Sequence, residues 1–340
     1  MQKKPLIKER LVEQLREQIR SMQQSDYIKI APERELAESL GVSRISLRAA
    51  IKTLVDEGLL AQQQGRGTYI RPLLPFRALY LLCPPDMKRN DPYYSQFLLD
   101  LTNSAAKQAI SLTMVDPERL EGDPHGVLIA MGQMEAQLLE RISGQYGYLI
   151  VAQAGESPHA SVRICYDDTR IGRDAAELLL VQGHRSIIHL AGPDKYPSAS
   201  HRLRGFTERL SEAGISPVIL REKMNWPGGY RSAEAVISLL AGCNPPSAVF
   251  AANDWMAIGL IQKLKEHGIS IPGQVSVIGC DDIHLSSEFE PALSTFQLDM
   301  KDLVSQVLSA AETFESGQSV SKTVLLPARF ISRDTLKTLT

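Results

Sequence analysis

Apolar side chains recur every three or four positions in the first seventy residues, the spacing of helices with one buried face. A first helix is predicted by an apolar stripe at Ile7, Leu11, Leu15, Ile19 and Met22. A second is predicted from Pro32 to Leu40, because proline suits a first helical turn and Gly41 can close the last one. Ser43 can then cap a third helix that runs to about Glu57. Two short helices joined by a tight Gly-Val-Ser turn form the helix-turn-helix layout.

The outer face of the third helix carries polar side chains near its first turn. They are Arg44, Ser46 and Arg48. The first turn of a recognition helix enters the major groove, where arginine can donate two hydrogen bonds to a guanine and serine can reach a base or a phosphate. Residues 60–70 predict a strand, a glycine-flanked tip and a second strand, with Arg66 placed to enter a minor groove or grip phosphate. The alternative is a small helical domain with solvated arginines and an ordinary hairpin.

The pattern changes after residues 72–77, whose prolines predict a stiff linker. Short apolar runs now alternate with amphipathic helical stretches. The runs are residues 78–83, 126–131, 148–153, 186–192, 247–253 and 275–282. Helices are predicted near residues 94–109, 169–183, 201–214, 228–241, 254–267 and 300–316. Repeated strand–helix units predict an α/β fold with doubly wound parallel sheets, and roughly 265 residues suit two lobes rather than one.

Polar residues follow several of these runs. Asn253 ends one run and Asp254 follows it, and Asp281 and Asp282 end another. Ligands in open α/β sheets bind outside the carboxyl ends of the strands. These positions are therefore candidates for a ligand site on pattern alone.

Charge is distributed unevenly along the chain. Residues 1–72 carry a net charge of +4 and the remainder carries −6, which fits a polyanion-binding head on a second, acidic domain. Hydrophobic residues make up 44% of the chain, yet no run reaches the roughly 18 apolar residues of a membrane span. Glutamates interrupt the N-terminus where a signal peptide needs an apolar stretch, so a cytoplasmic location is expected. The four cysteines lie far apart, and we expect them to be reduced.

The head resembles the GntR family in an ordered series of motifs. These are P-x-R-E-L-A-x-x-x-G-V-S-R-x-x-x-R-x-A from Pro32, then L-x-x-E-G-L and Q-G-R-G-T-Y. The resemblance implies a winged helix-turn-helix over residues 1–71 that binds double-stranded DNA. It places the DNA contacts at Arg34, Ser43, Arg44, Ser46, Arg48, Gly65 and Arg66. Ile45 departs from the family, which often has a polar residue there, and is not among these contacts.

The body resembles the effector domains of the LacI/GalR family. The motifs lie at residues 167–172, 183–187, 202–206, 246–254, 272–282 and 291–295, with a late Arg333-Asp334. The resemblance implies a periplasmic-binding-protein-like body over residues 78–340, with two lobes, three crossings between them and a ligand in the cleft. Lobe 1 is expected at about 78–160 plus 294–322, and lobe 2 at about 161–293 plus 323–340.

The same resemblance assigns effector contacts to four residues. They are Arg202, Asn253, Asp254 and Asp281. A guanidinium can fork two sugar oxygens, and a carboxylate can accept from two hydroxyls. Three aromatic residues are expected to cover the apolar faces of a sugar ring, namely Tyr93, Tyr94 and Trp226. Alternatives stay open: a salt bridge within one lobe for Arg202 and Asp281, a helix cap for Asn253 and Asp254, and core packing for the aromatic residues.

The two resemblances together imply a transcriptional regulator controlled by an effector. We expect a repressor of carbohydrate-utilisation genes that acts as a C2 homodimer on an inverted-repeat operator, with a sugar-like effector between the lobes. The architecture is similar to that of arabinose-responsive repressors of Gram-positive bacteria. The alternatives are a solute-binding protein of a sugar transporter and an α/β enzyme. Because the chain has no GxGxxG that opens a helix after a strand, no GxxxxGK[ST], no HExxH and no GxSxG, we expect no enzyme activity, cofactor or metal.

Overall fold

The computed structural model describes most of the chain. The described residues are 7–22, 27–56, 59–63, 67–70, 78–83, 91–119, 121–124, 126–155, 157–312 and 322–339. Gly65, Arg66 and the expected linker at residues 72–77 lie outside them, as does the end of the helix expected to reach residue 316. No helix among the described residues is long and apolar enough to cross a lipid bilayer.

The head contains three helices and a small antiparallel sheet. Its elements are α1 (Ile7–Met22), β1 (Ile28–Lys29), α2 (Glu33–Leu40), α3 (Arg44–Asp56), β2 (Leu60–Gln63) and β3 (Gly67–Ile70). The three helices and the wing strands β2 and β3 lie where the sequence predicts them. Strand β1 was not predicted; it pairs with β3, so that the sheet order is β1-β3-β2. Leu11, Leu15, Leu47, Ile51 and Leu54 form the centre of one buried core.

The first lobe of the body is a six-stranded parallel sheet with helices on its faces. Its elements are β4 (Ala78–Leu82), α4 (Pro92–Lys107), β5 (Ser111–Met114), β6 (Val127–Met131), α5 (Ala136–Ser143), β7 (Tyr148–Ala152), β8 (Val162–Tyr166), α11 (Met300–Glu312) and β14 (Lys322–Leu326). The strand order is β14-β8-β7-β6-β4-β5, and every pairing is parallel. All five residues of β6 are buried, as expected where helices cover both faces of a parallel sheet.

The second lobe repeats this organisation. Its elements are α6 (Asp168–Val181), β9 (Ile187–Ala191), α7 (Pro197–Glu212), β10 (Val218–Arg221), α8 (Trp226–Leu240), β11 (Ala248–Ala251), α9 (Asp254–Glu266), β12 (Ser276–Asp281), α10 (His284–Glu288), β13 (Ser294–Gln297) and β15 (Arg329–Ile331). The strand order is β10-β9-β11-β12-β13-β15, with only β15 antiparallel. Helices α6 and α7 touch through glycine: a Cβ at Gly205 would collide with the carbonyl oxygen of Thr169.

The lobe boundaries expected from the sequence are wrong by about one strand at each crossing. Strands β8 and β14 pair within the first sheet, although residues 161–166 and 323–326 were assigned to lobe 2. Strand β13 pairs with β12 in the second sheet, although residues 294–297 were assigned to lobe 1. The chain crosses between lobes only after each of these strands has completed its hydrogen-bonded pairing, at residues 167, 298–299 and 327–328.

Candidate nucleic-acid interface and interlobe site

The turn between α2 and α3 is held by local hydrogen bonds. Gly41 has a φ of 64°, a left-handed conformation that glycine adopts without steric cost and that ends α2. The backbone N–H of Ser46 donates to Ser43 Oγ at 3.1 Å, so Ser43 caps α3 as predicted. The two serine hydroxyls also lie 2.9 Å apart. Both serines that were predicted to contact DNA therefore shape the start of the helix.

The outer face of the head carries exposed cations, two of which pair with glutamate. Arg48 Nη2 lies 2.8 Å from Glu33 Oε2, and its Nε donates to the same oxygen at 3.1 Å. Arg34 Nε donates to Glu38 Oε1 at 3.2 Å. Arg44 is exposed, and no described residue forms an ion pair with it. Exposed pairs of this kind are weak and can be exchanged for a phosphate or a base edge.

The wing is a two-stranded antiparallel ribbon formed by β2 and β3. Gln63 pairs with Gly67 at the last described position on either side of the tip. Lys29 Nζ, from the neighbouring strand β1, lies 5.9 Å from the centre of the Tyr69 ring. The predicted contacts of Gly65 and Arg66 lie on the tip, outside the described residues, and stay predictions.

Arg202 lies at the centre of the interlobe site, in α7, and is only 3% exposed. Its Nε donates to Asp168 Oδ1 at 2.7 Å and its Nη1 donates to the carbonyl oxygen of Ala252 at 2.5 Å. The same Nη1 is 3.8 Å from Asp281 Oδ1. The salt bridge within lobe 2 is therefore present, and it uses Asp168, which the sequence analysis did not select.

Asp281 ends β12 on the cleft side of this arginine. Its φ is 131° and that of Asp282 is 57°, so the backbone turns sharply here, as it does at many ligand sites. Burial raises the pKa of the Asp281 carboxyl well above its ordinary range, and the Arg202 guanidinium opposes that rise. Asp282 points elsewhere, because its carboxylate accepts from Arg333 at 2.6 Å and from the Gln297 amide at 2.9 Å.

Tyr93 is the residue of lobe 1 that lies near Arg202 and Asp281. It lies in the first turn of α4, where its backbone N–H donates to the capping Asp91 side chain at 3.1 Å. Among the described residues, its buried hydroxyl has no hydrogen-bond partner. Burial raises the pKa of the hydroxyl well above its usual value, and Asp281 adds to the rise while Arg202 opposes it. A polar group that is buried and unpaired at this point indicates a place for a ligand atom.

The neighbouring aromatic rings have packing roles. The ring of Tyr94 meets that of Tyr93 edge to face at 5.7 Å. Trp226 opens α8, stacks on Tyr230 at 4.8 Å and packs against the lobe 2 core. Tyr166, which the sequence analysis missed, donates from its hydroxyl to the carbonyl oxygen of Asp299 at 2.7 Å and so joins two of the crossings. Core packing is thus present for Trp226, and its contact with an effector stays a prediction.

Asp254 forms hydrogen bonds within lobe 2. It is fully buried, and its Oδ1 accepts from the Thr295 hydroxyl at 2.5 Å. Its Oδ2 accepts from the Ser286 hydroxyl at 2.6 Å and from the Ile283 N–H at 3.1 Å. Burial raises the pKa of this carboxyl to about 6. Both oxygens therefore tie α9 to β13 and to the segment after β12, and the predicted effector contact of Asp254 stays a prediction beside this structural role.

Asn253 shows the helix cap that was one of its two alternatives. Its Oδ1 accepts from the backbone N–H of Met256 at 3.0 Å, which caps α9. The residue is 9% exposed. Its predicted contact with an effector stays open beside this structural role.

A cavity of about 730 Å³ opens between the lobes, and Tyr93, Arg202 and Asp281 are not among the residues that line it. Lobe 1 lines it with Gln133, Met134 and Arg141, and lobe 2 lines it with Lys195 and Tyr196. None of these residues was predicted from the sequence. Several of them follow the carboxyl ends of β6 and β9, so the rule that ligands bind beyond strand ends could have found them.

Comparison with known proteins supports both parts of this description. Residues 7–70 match the bacterial regulatory proteins of the gntR family, and residues 169–336 match a periplasmic binding protein-like domain. The HTH-type transcriptional repressor PurR of Glaesserella parasuis serovar 5 is 32% identical over 208 residues, which are 59% of this chain and 58% of the relative. The HTH-type transcriptional regulator AscG of Escherichia coli is 32% identical over 181 residues, 52% of this chain and 53% of the relative. The chain thus spans somewhat more than half the length of these two relatives.

A solved structure shares the fold of the body. The LacI family transcriptional regulator from Enterococcus faecium, determined with bound ribose, superposes with a TM-score of 0.67 at 21% identity. The superposition covers 77% of this chain and all of the other chain. The predicted fold is confirmed: an N-terminal winged helix precedes a two-lobed body of the periplasmic-binding-protein type.

Proposed function

We propose that this chain is a sequence-specific DNA-binding transcriptional regulator whose affinity for its operator is switched by a small polar effector. The observation that carries the proposal is the combination in one chain of a winged helix with an exposed cationic recognition helix and a two-lobed ligand-binding body. Repressor is the favoured sign of regulation, since the names of both curated relatives describe transcriptional regulators and one is a repressor. Action on DNA would take place in the cytoplasm.

DNA recognition is assigned to the outer face of α3. Leu47, Ala50, Ile51 and Leu54 face the core, whereas Arg44 and Arg48 are exposed to solvent. In a major groove these guanidinium groups would fork guanine O6 and N7 or neutralise phosphates. Arg34 would contact the DNA phosphate backbone. Ser43 and Ser46 would contact DNA through their hydroxyls at the helix N-terminus. Gly65 and Arg66 on the wing would hold the adjacent groove.

Effector binding is assigned to the space between Tyr93 of lobe 1 and the Arg202–Asp281 pair of lobe 2. The unpaired Tyr93 hydroxyl supports this assignment, because one hydroxyl of a bound sugar would satisfy it. Asp281 can accept from a second hydroxyl, while Tyr94 and Trp226 would cover apolar faces of the ring. Asn253 would contribute its amide. Pentoses are the first effectors to test, because the architecture resembles arabinose-responsive repressors.

The switch would operate through the three crossings. An effector that contacts both lobes favours the closed arrangement and so rotates one lobe against the other. In a C2 homodimer this rotation changes the spacing of the two heads and lowers their affinity for an inverted-repeat operator. Coupling of about 1–3 kcal/mol would be typical of such a device.

The test begins with the wild-type full-length protein and random double-stranded DNA. Repeated selection and sequencing should yield an inverted repeat, and fluorescence anisotropy then gives its dissociation constant. Arg44→Ala should weaken binding by about 5-fold to 150-fold if the guanidinium forks a guanine. Arg170→Ala removes an exposed arginine from the body and serves as the charge-matched control. Failure to select any sequence would overturn the proposal.

The effector is sought separately by thermal shift with pentoses, hexoses and sugar acids. A sugar that raises the melting temperature of the wild type should have no such effect on Asp281→Ala, which should still bind the selected operator with unchanged affinity. A solute-binding protein would respond to the sugar but would select no DNA sequence, so the two arms separate that alternative. An unaltered sugar response in Asp281→Ala would show that the effector binds elsewhere.

A further inference from the structure

Ile45 is an apolar residue whose side chain is exposed to water. Its side chain is 84% exposed, more than any other large hydrophobic side chain among the described residues. It is the second residue of α3, directly after Arg44. Single exposed apolar residues are common on protein surfaces, but this one lies on the face assigned to DNA. Its position, rather than its exposure alone, calls for an explanation.

The geometry of α3 points Ile45 straight away from the head. Successive residues of an α-helix are rotated by about 100°, so Ile45 lies on the side opposite Leu47, which is fully buried. Arg48 follows one turn later on the same outer side. Any surface that the two arginines approach is therefore also approached by the Ile45 side chain. That surface must offer something apolar to an isoleucine.

We infer that Ile45 contacts the 5-methyl group of a thymine in the major groove and so specifies a thymine at one position of each half-site. The inference rests on the proposed function, since it requires α3 to enter that groove. The thymine methyl is the one apolar group on the major-groove edge of the four bases. Isoleucine has no donor or acceptor, so it cannot read any other feature of a base edge.

The contact is selective because cytosine offers no methyl group there and presents an amino donor beside the site. Burying a polar donor against isoleucine without a partner is unfavourable, whereas two methyl groups exclude water from each other. The flanking Arg44 and Arg48 would read guanine by hydrogen bonds. Related heads often have a polar residue at this position. With Ile45 there instead, this head would prefer a different base.

The experiment replaces thymine by uracil, which differs only in the missing methyl group. Each thymine of the selected operator is changed to deoxyuridine, symmetrically in both half-sites, and dissociation constants are measured by fluorescence anisotropy. At one position per half-site the wild type should lose about 4-fold in affinity for each methyl removed, or roughly 15-fold for the symmetric pair. Ile45→Ala should bind the thymine and uracil duplexes equally, and Ile45→Val should retain most of the discrimination.

Leu99→Ala is the matched control, because Leu99 is an exposed aliphatic residue in the body. It should discriminate as the wild type does. The inference is overturned if thymine and uracil duplexes differ by the same factor for the wild type and for Ile45→Ala. In that case a continued loss of affinity in Arg44→Ala would show that the proposed function stands while the Ile45 contact does not. Selection of no sequence would overturn both.

Discussion

Arg202 is buried between Asp168 and the carbonyl oxygen of Ala252, and replacing it by methionine tests whether it serves the fold or the ligand. Methionine keeps much of the unbranched apolar stem but removes the charge and every donor. Asp168 loses a bond of 2.7 Å and the Ala252 carbonyl loses one of 2.5 Å. Asp281, 3.8 Å away, loses its nearby cation as well. The variant therefore leaves buried carboxylates without compensation.

The magnitude follows from the burial of this pair. Removing one partner of a buried ion pair reduces the free energy of unfolding by about 3–5 kcal/mol, whereas an exposed pair contributes about 0–1 kcal/mol. At roughly 2–4 °C for each kcal/mol, Arg202→Met should melt about 6–20 °C below the wild type. Arg204→Met is the control: that arginine is exposed on the same helix and makes a single hydrogen bond to Thr169 at 2.8 Å.

The assay is differential scanning fluorimetry of the full chain at neutral pH, with and without a sugar that stabilises the wild type. We expect a large loss of melting temperature in Arg202→Met and a change of at most a few degrees in Arg204→Met. The contrary result is an Arg202→Met variant that has the melting temperature of the wild type and loses only the stabilisation by the sugar. Arg202 would then be a ligand-contact residue with no structural role, and the reasoning from its burial would be refuted.

Three further predictions concern other parts of the molecule. Burial raises the pKa of Asp254 to about 6, so the stability that its protonated form contributes is present below pH 4 and is lost as the pH rises through 6. Asp254→Asn does not titrate there. Between pH 5 and pH 7 its free energy of unfolding in urea should therefore rise by about 1 kcal/mol relative to that of the wild type. Gly205→Ala forces a Cβ against the carbonyl oxygen of Thr169 and should cost about 1–3 kcal/mol of unfolding free energy, while an unchanged denaturation midpoint would show that α6 and α7 can move apart. Glu33→Gln frees Arg48 and should strengthen operator binding about twofold to fivefold in anisotropy titrations; weaker binding would mean that Glu33 positions Arg48 for DNA.

The three helices and the wing strands of the head could be predicted from the sequence, because their signals are local, whereas β1 was missed. Ser43 caps α3 and Gly41 ends α2 through hydrogen bonds within a few positions of each residue. The same locality explains the alternation of strands and helices in the body. The exposure of Ile45 follows from the same helical periodicity, since its neighbours Leu47 and Ile51 face the core.

The interlobe site was predicted less completely, because its contacts join residues far apart in the chain. Arg202 meets Asp168 across 34 positions, and Asp254 meets Thr295 across 41. Nothing near Asp254 in the sequence shows that its oxygens accept hydrogen bonds from Ser286 and Thr295. The unpaired hydroxyl of Tyr93 is visible only when lobe 1 is brought against lobe 2.

The lobe boundaries failed for a related reason. Strands β8 and β14 pair with each other, although about 160 residues separate them in the chain. Neither strand carries a local signal that says which sheet it joins. A strand's own composition predicts that it is a strand, whereas its sheet is decided by partners elsewhere in the fold.

The central claim is that one molecule couples sugar binding in the body to DNA binding by the head. The most direct measurement is the dissociation constant of the wild-type protein for its selected operator, with and without a saturating concentration of the sugar that stabilises it. The account predicts that the sugar weakens operator binding by about 5-fold to 150-fold. A sugar that stabilises the body yet leaves the dissociation constant unchanged would contradict it.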